Sequence, residues 1–240
     1  MTAPAPQLGE GRVGVIVAAA GFGARLGRGS KALVELNGRT LLRRALERCC
    51  QLAEVDEVVV VVPPAQLELA RRESERVGCG KPMTVVPGGQ TRQQSVTLGL
   101  EALRGCEWVL VHDAARPLAS AELFQRVLAA TRAGGAAMPG LTPRDAVKTL
   151  VGDHAAETLD RSQLLLVQTP QGFARATLER AHSQAATSGL SADDDAQLVR
   201  ALGQEVAVVL GEVANLKLTT EEDLAVLEAL LAAREAPAPA

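Results

Sequence analysis

Three segments of the chain are almost purely apolar: VGVIVAAA at 13–20, EVVVVVP at 57–63, and the start of EWVLVHDAARP at 107–117. Continuous runs of this length are the pattern of strands buried on both faces. Between them the period changes. TLLRRALERCCQL (40–52) puts Leu42, Ala45, Leu46 and Cys49 on one side and arginines on the other, the spacing of an amphipathic helix. Residues 65–77 and TRQQSVTLGLEAL (91–103) predict two more helices, the latter with Val96, Leu100 and Leu103 inward. MTVVPGG (83–89) is a short strand entering a glycine turn, and SAELFQRVLAATRAG (120–134) is a helix capped by Ser120.

Alternating strands and helices predict a parallel sheet with helices on both faces, its strand carboxyl ends gathered on one edge. The stretch 136–173 breaks the alternation with short strands and turns, which predicts a hairpin arm returning near Gln168. Helices resume at about 174–187 and 194–203. VAVVLGEVANLKLT (206–219) reads as a strand, a turn and a second short strand. A last amphipathic helix spans 220–234, with Thr220 as cap. The organisation expected is a tail at 1–12, a single domain at 13–234 with an arm at about 140–160, and a tail at 235–240.

Composition narrows the functions. A chain of 240 residues with a formal net charge of -3 does not look like a general nucleic-acid binder, and 2% aromatics cannot build stacking platforms for single strands. No apolar run approaches the roughly 20 residues of a membrane helix. The first twelve residues lack the cationic and apolar regions of a signal peptide. Cys49, Cys50, Cys79 and Cys106 contain no CxxC pair, so reduced thiols in a cytoplasmic protein are expected. Three histidines without ligand spacing (His112, His154 and His182) make a zinc site a poor fit.

The candidate chemistry follows the strands. AAAGFGARLGRGSK places Gly21, Gly23, Gly27 and Gly29 where main-chain N–H groups can converge on an anion, with Arg25 and Lys31 to supply charge. It is neither GxGxxG nor a Walker A loop, and a plain strand-to-helix turn with solvated arginines is the alternative. In VHDAARP, Asp113 sits where a buried strand leaves the sheet. A carboxylate there can hold a Mg²⁺ that bridges phosphates, or it can cap the next turn and pair with Arg116. GGQTRQQSV offers Gly88 and Gly89 for close approach of a base, and Ser95 early on the next helix. Arg161 and Lys217 lie after or within short strands, where either a ligand contact or a solvated charge is possible. Asp193 to Asp195 read as a helix start.

Taken in order, AAAGFGARLG…SK, GGQTRQQSVTLGL, VLVHDAARP, DAVK, DRSQLLLVQTPQGF, DDDAQLV and NLKLTTEEDL resemble the 2-C-methyl-D-erythritol 4-phosphate cytidylyltransferase family from about residue 13 to 231. The resemblance implies an α/β fold of nucleotidyltransferase type: a Rossmann-like mixed, mostly parallel sheet with helices on both faces and a protruding β-arm. It implies a homodimer whose arms cross to the partner, with CTP, Mg²⁺ and a polyol phosphate as ligands. Carried over by position, Arg25 and Lys31 stabilise the transition state at the α-phosphate. Ala19, Ala20, Gly21, Gly23, Gly89 and Ser95 line the CTP site, and Asp113 lies by the metal and ribose. Arg116 lies near the acceptor, and Lys217 and the partner's Arg161 hold its phosphate. Departures from the pattern are Ser30 for proline, Gln90 for an acid, and Ala146 and Asp193 for threonines, the last two on the acceptor side. A sister enzyme acting on ribitol 5-phosphate and a nucleotide-binding homologue without catalysis are the rival readings. A nicotinamide dehydrogenase would need an acid about 20 residues after the glycines, where this chain's second strand instead ends in VVPP.

Overall fold

The computed structural model describes residues 11–21 and 31–235; most of the expected tails at 1–12 and 235–240 (residues 1–10 and 236–240), and Gly23 and Arg25 of the glycine loop, lie outside the described residues. The strands are β1 (Val13–Ala18), β2 (Glu35–Leu36), β3 (Arg39–Thr40), β4 (Glu57–Val62), β5 (Met83–Pro87), β6 (Trp108–Asp113), β7 (Ala136–Leu141), β8 (Val147–Val151), β9 (His154–Leu159), β10 (Leu166–Val167), β11 (Gln171–Ala174) and β12 (Ala207–Leu210). The helices are α1 (Leu41–Gln51), α2 (Leu67–Val77), α3 (Arg92–Ala102), α4 (Ala121–Gly134), α5 (Arg175–Ser188), α6 (Asp195–Ala201) and α7 (Glu221–Glu235).

The main sheet runs β10-β7-β11-β6-β1-β4-β5, with β12 also on β7. Strands β6, β1, β4 and β5 are mutually parallel. β11 runs antiparallel between β6 and β7, so the sheet is mixed. Its two faces explain the continuous apolar runs. Val13, Val15 and Val17 of β1 pack with Leu42, Leu46 and Ala70 of α1 and α2, and with Leu123 and Phe124 of α4. Ile16 of β1, with Val59 and Val61 of β4, faces Val96 and Leu100 of α3 and Leu178 of α5. Successive strand residues point to opposite faces, and a strand covered on both needs an apolar residue at every position.

Local signals set the helix starts. Thr40, Thr91, Ser120 and Asp194 each accept a hydrogen bond from the backbone N–H three residues on. The hairpin β8–β9 stands apart from the main sheet and exposes Leu150 and Val151. Among the described residues no helix is long and apolar enough to cross a membrane.

Two expectations are corrected. The second short strand within 206–219 does not form, because the polar groups there are satisfied elsewhere. Gln168 takes both the N–H and the carbonyl of Glu212, and Leu218 N–H donates to Ala115 O. The cysteines are not all reduced: Cys50 and Cys79 form a disulfide, while Cys49 and Cys106 are free and buried. Cys50 is in the last turn of α1 and Cys79 follows the left-handed Gly78 that ends α2. The helix ends bring together thiols separated by 29 residues, a proximity that no local pattern encodes. Burial outweighs the nearby Lys81 and Arg48 and pushes the Cys49 thiol up to about 12. Closing a loop of that size removes unfolded-state entropy worth about 3.6 kcal/mol. Reduction, or Cys50→Ser, should lower urea stability by about that amount; a melt indifferent to dithiothreitol would contradict it.

Candidate active site

Residues at the carboxyl ends of the parallel strands form the site, the edge where open α/β sheets bind ligands. Ala18 and Asp113 are register partners as β1 and β6 leave the sheet. Beyond β5 the chain turns at Gly88 and Gly89. A Cβ on Gly88 would lie 2.6 Å from the Ala20 Cβ and 2.9 Å from Ser95 Oγ. One on Gly89 would lie 2.5 Å from the Gln94 Cβ. Glycine is what lets this turn press against β1 and the start of α3. Ser95 Oγ then accepts from Gly89 N–H at 3.2 Å and donates to Thr91 O at 2.8 Å.

The resulting cavity has a volume of about 640 Å³, within the range of small-molecule sites. Main chain and small side chains from Ala18 to Gly21 form one wall, and Gly89 to Arg92 with Ser95 form another. The charged groups on it are Lys31, Arg92, Asp113 and Lys217. Lys217 reaches the rim because its neighbour Leu218 is fully buried in a satellite core under α7, with Leu36, Leu41 and Leu227. Lys31 opens a 3-10 turn (Lys31–Leu33), and its Nζ donates to the carbonyls of Leu218 at 3.2 Å and Thr219 at 3.3 Å.

Asp113 is the electrostatic centre. Lys217 Nζ donates to its Oδ2 at 2.6 Å, and Arg92 Nε lies 3.4 Å from Oδ1. Burial alone would raise its pKa, but Arg92 first and Lys217 second outweigh burial and hold the carboxyl well below the usual range. It is therefore ionised throughout the physiological range. Its backbone is fixed as well: Asp113 N–H donates to Thr169 Oγ1 at 3.0 Å.

Behind Asp113, His112 is buried against Phe124. Its Nε2 faces Arg116 O at 3.2 Å and its Nδ1 faces Thr169 Oγ1 at 3.1 Å. A carbonyl can only accept, so Nε2 carries the proton and Nδ1 accepts from the threonine. Burial lowers the His112 pKa from 6.5 to about 4. Between those values the unfolded chain binds a proton that the folded chain does not. Stability therefore rises with pH across this window and is lost as pH falls from about 6.5 to 4, by about 3 kcal/mol. His112→Gln should flatten the pH dependence of the urea midpoint by that amount; a variant with the parent's slope would contradict the assignment.

The structure thus brings Ala19, Ala20, Gly21, Lys31, Gly89, Ser95, Asp113 and Lys217 to one cavity. Arg25 and Gly23 lie outside the described residues. Arg116 and Arg161 are not on this wall. The Arg116 guanidinium donates to Asn215 O at 2.8 Å and Val167 O at 3.2 Å, tying two loops together. It does not pair with Asp113, whose partners are Arg92 and Lys217. Arg161 is exposed at the base of the arm and donates to the Arg144 carbonyl. Sequence reasoning missed Arg92, which also pairs with the buried Asp195. The available signal was its position: an arginine opening a helix, where the dipole favours an acid.

Among the described residues no three His, Cys, Asp or Glu cluster as a metal cage. Asp113 is, among the described residues, the one carboxylate on the cavity lining, a donor set compatible with magnesium, which commonly takes one or two protein carboxylates beside phosphate oxygens and water.

Comparison with known proteins identifies the family. The family model for 2-C-methyl-D-erythritol 4-phosphate cytidylyltransferase (IspD) matches residues 13–233. A bifunctional enzyme IspD/IspF from Nitratidesulfovibrio vulgaris is 42% identical over 228 residues, covering 91% of this chain and 58% of that protein. The chain therefore spans little more than half the length of this bifunctional relative. A 2-C-methyl-D-erythritol 4-phosphate cytidylyltransferase from Thermus thermophilus is 44% identical over 218 residues, covering 91% of this chain and 96% of that one. The crystal structure of 4-diphosphocytidyl-2C-methyl-D-erythritol synthase from Anaerococcus prevotii superposes with a TM-score of 0.82 at 30% identity, covering 92% and 96% of the two chains. With a family match over nearly its whole length and a strand-end cavity of the kind just described, this chain belongs to the 2-C-methyl-D-erythritol 4-phosphate cytidylyltransferase family.

Proposed function

We propose that the protein transfers CMP from CTP to 2-C-methyl-D-erythritol 4-phosphate, releasing pyrophosphate, in non-mevalonate isoprenoid precursor synthesis. One observation carries this reading: backbone cleared by glycine, two lysines and an ionised carboxylate share one cavity at the strand ends. The acceptor's phosphate oxygen attacks the α-phosphorus in line; the new P–O bond forms as the bond to the β-phosphate oxygen breaks. A phosphate monoester is already ionised near neutrality, so no general base is needed. The protein's work is to position two anions and neutralise charge.

In this reading Ala19 to Gly21, Gly23, Gly89 and Ser95 hold the nucleotide, and Arg25 and Lys31 offset charge developing at the α-phosphate. Lys217 moves its hydrogen bonds from Asp113 to the acceptor's phosphate. Arg116 orders the loops beside the acceptor. Asp113 holds Mg²⁺, which when bound neutralises the triphosphate. The working unit is a homodimer in the cytoplasm: the exposed Leu150 and Val151 of the arm suit a partner's surface, and Arg161 of each arm serves the partner's cavity. The absence of threonine at Ala146 and Asp193 bears on the acceptor, so ribitol 5-phosphate is the rival to test. Following CTP and the erythritol phosphate by ³¹P NMR should show pyrophosphate together with a new diphosphate diester. Turnover with ribitol 5-phosphate alone would replace the acceptor, and no pyrophosphate with either would end the transferase reading.

A further inference from the structure

From Arg92 on the cavity wall a chain of buried polar groups runs back through Asp195 and His182, and the mechanism above gives none of them a part. Arg92 opens α3, where a helix dipole does not favour a cation, so other groups must hold it. Its Nη1 lies 2.7 Å from Asp195 Oδ2 and its Nε 3.4 Å from Asp113 Oδ1. Asp195, at the start of α6, is fully buried. Its Oδ1 takes His182 Nε2, from α5, at 2.9 Å, and the other ring nitrogen of His182 meets Thr97 Oγ1 of α3 at 3.1 Å. Arg92 Nη2 and Asp195 Oδ2 are both buried without a hydrogen-bond partner among the described residues, so the 2.7 Å contact of Nη1 with Oδ2 is an ion pair. Burying a carboxylate is costly, and a buried ion pair adds little net stability. What this chain of contacts does supply is a fixed direction for the guanidinium.

We propose that Asp195, seated by His182, is a positioning residue that acts through Arg92 on Asp113. The proposal rests on the transferase reading in that Asp113 works at the reacting phosphates. By holding one nitrogen of Arg92, Asp195 stops the planar fork from closing on both oxygens of Asp113. Oδ2 then stays with Lys217 and open to ligand. When Asp195 loses its charge, Arg92 turns wholly onto Asp113 and displaces Lys217.

Asp195→Asn tests this, because it keeps the shape and the hydrogen bond from His182 while offering Arg92 an amide. We expect kcat to fall about tenfold to a hundredfold, the range for losing an outer partner of a site ligand. KM for CTP should change less than about threefold. In an Arg92→Met background the same substitution should add less than about twofold. His182→Leu should move kcat in the same direction by less, which keeps the proposal readable if the asparagine variant folds poorly. A second readout does not need turnover. The chain has four lysines, so ¹³C-methylated lysine spectra isolate Lys217, assigned by Lys217→Arg. Its resonance should shift in Asp195→Asn and stay unmoved when that change is made on Arg92→Met. Equal losses in both backgrounds, or an unmoved Lys217 resonance, would overturn the proposal. A chain that transfers to no polyol phosphate yet shows the Arg92-dependent shift loses the transferase reading and keeps the positioning.

Discussion

Lys31→Ala is expected to lower kcat about a hundredfold while leaving thermal unfolding close to the parent's. Removing one preorganised group that stabilises transition-state charge costs about 3 kcal/mol, which corresponds to roughly two orders of magnitude in rate. In the proposed reaction the Lys31 ammonium is such a group, and its surroundings fix it before any ligand arrives. The carbonyls of Leu218 and Thr219 accept its hydrogen bonds at the cavity wall, and Leu218 is anchored in the core under α7. The fold should tolerate the loss, since Lys31 lies at the start of a short turn and is only partly buried. Pyrophosphate release under saturating CTP, with circular dichroism as the control, checks this. A variant with near-parental kcat would take Lys31 out of the mechanism.

Mixing two inactive variants gives the second large effect. If Arg161 serves the partner's cavity, Arg161→Ala on one chain and Lys31→Ala on the other fall in the same site of a heterodimer. One site then carries both defects and the other none. Co-refolding equal amounts should restore about a quarter of wild-type activity, because half the dimers are mixed and half of their sites intact. Arg161 donates to the carbonyl of Arg144 at the arm base and does not line its own chain's cavity, as a contribution in trans requires. Differently tagged chains that co-purify yet recover no activity would show that Arg161 works elsewhere.

Much of this architecture was legible from residue patterns. The apolar runs of β1, β4 and β6 and the helical spacing of α1 and α3 were unambiguous, because two covered sheet faces and one covered helix face leave different periods. The cavity wall was legible because glycines and a strand-end carboxylate fall at loop positions that the topology brings together. Three things were not. The Cys50–Cys79 bond joins thiols that meet only when α1 and α2 are packed. The expected strand near 216 gave way to side-chain bonds from Gln168 and Asn215, which no periodicity reveals. Arg92 and Asp195 looked like polar residues at helix starts, and their pairing needs α3 and α6 side by side. Asp194 takes the capping role, which leaves Asp195 for the buried pair.

The central claim is that one cavity gathers the nucleotide and its attacking phosphate. A crystal structure of the protein with CTP tests it most directly. The account predicts the cytosine and ribose against Gly89 and Ser95, the triphosphate running past Gly21 with its α-phosphate within reach of Lys31, and Lys217 beside an open space large enough for a polyol phosphate. A nucleotide seated anywhere else, or one whose phosphates point away from Lys31 and Asp113, would contradict it.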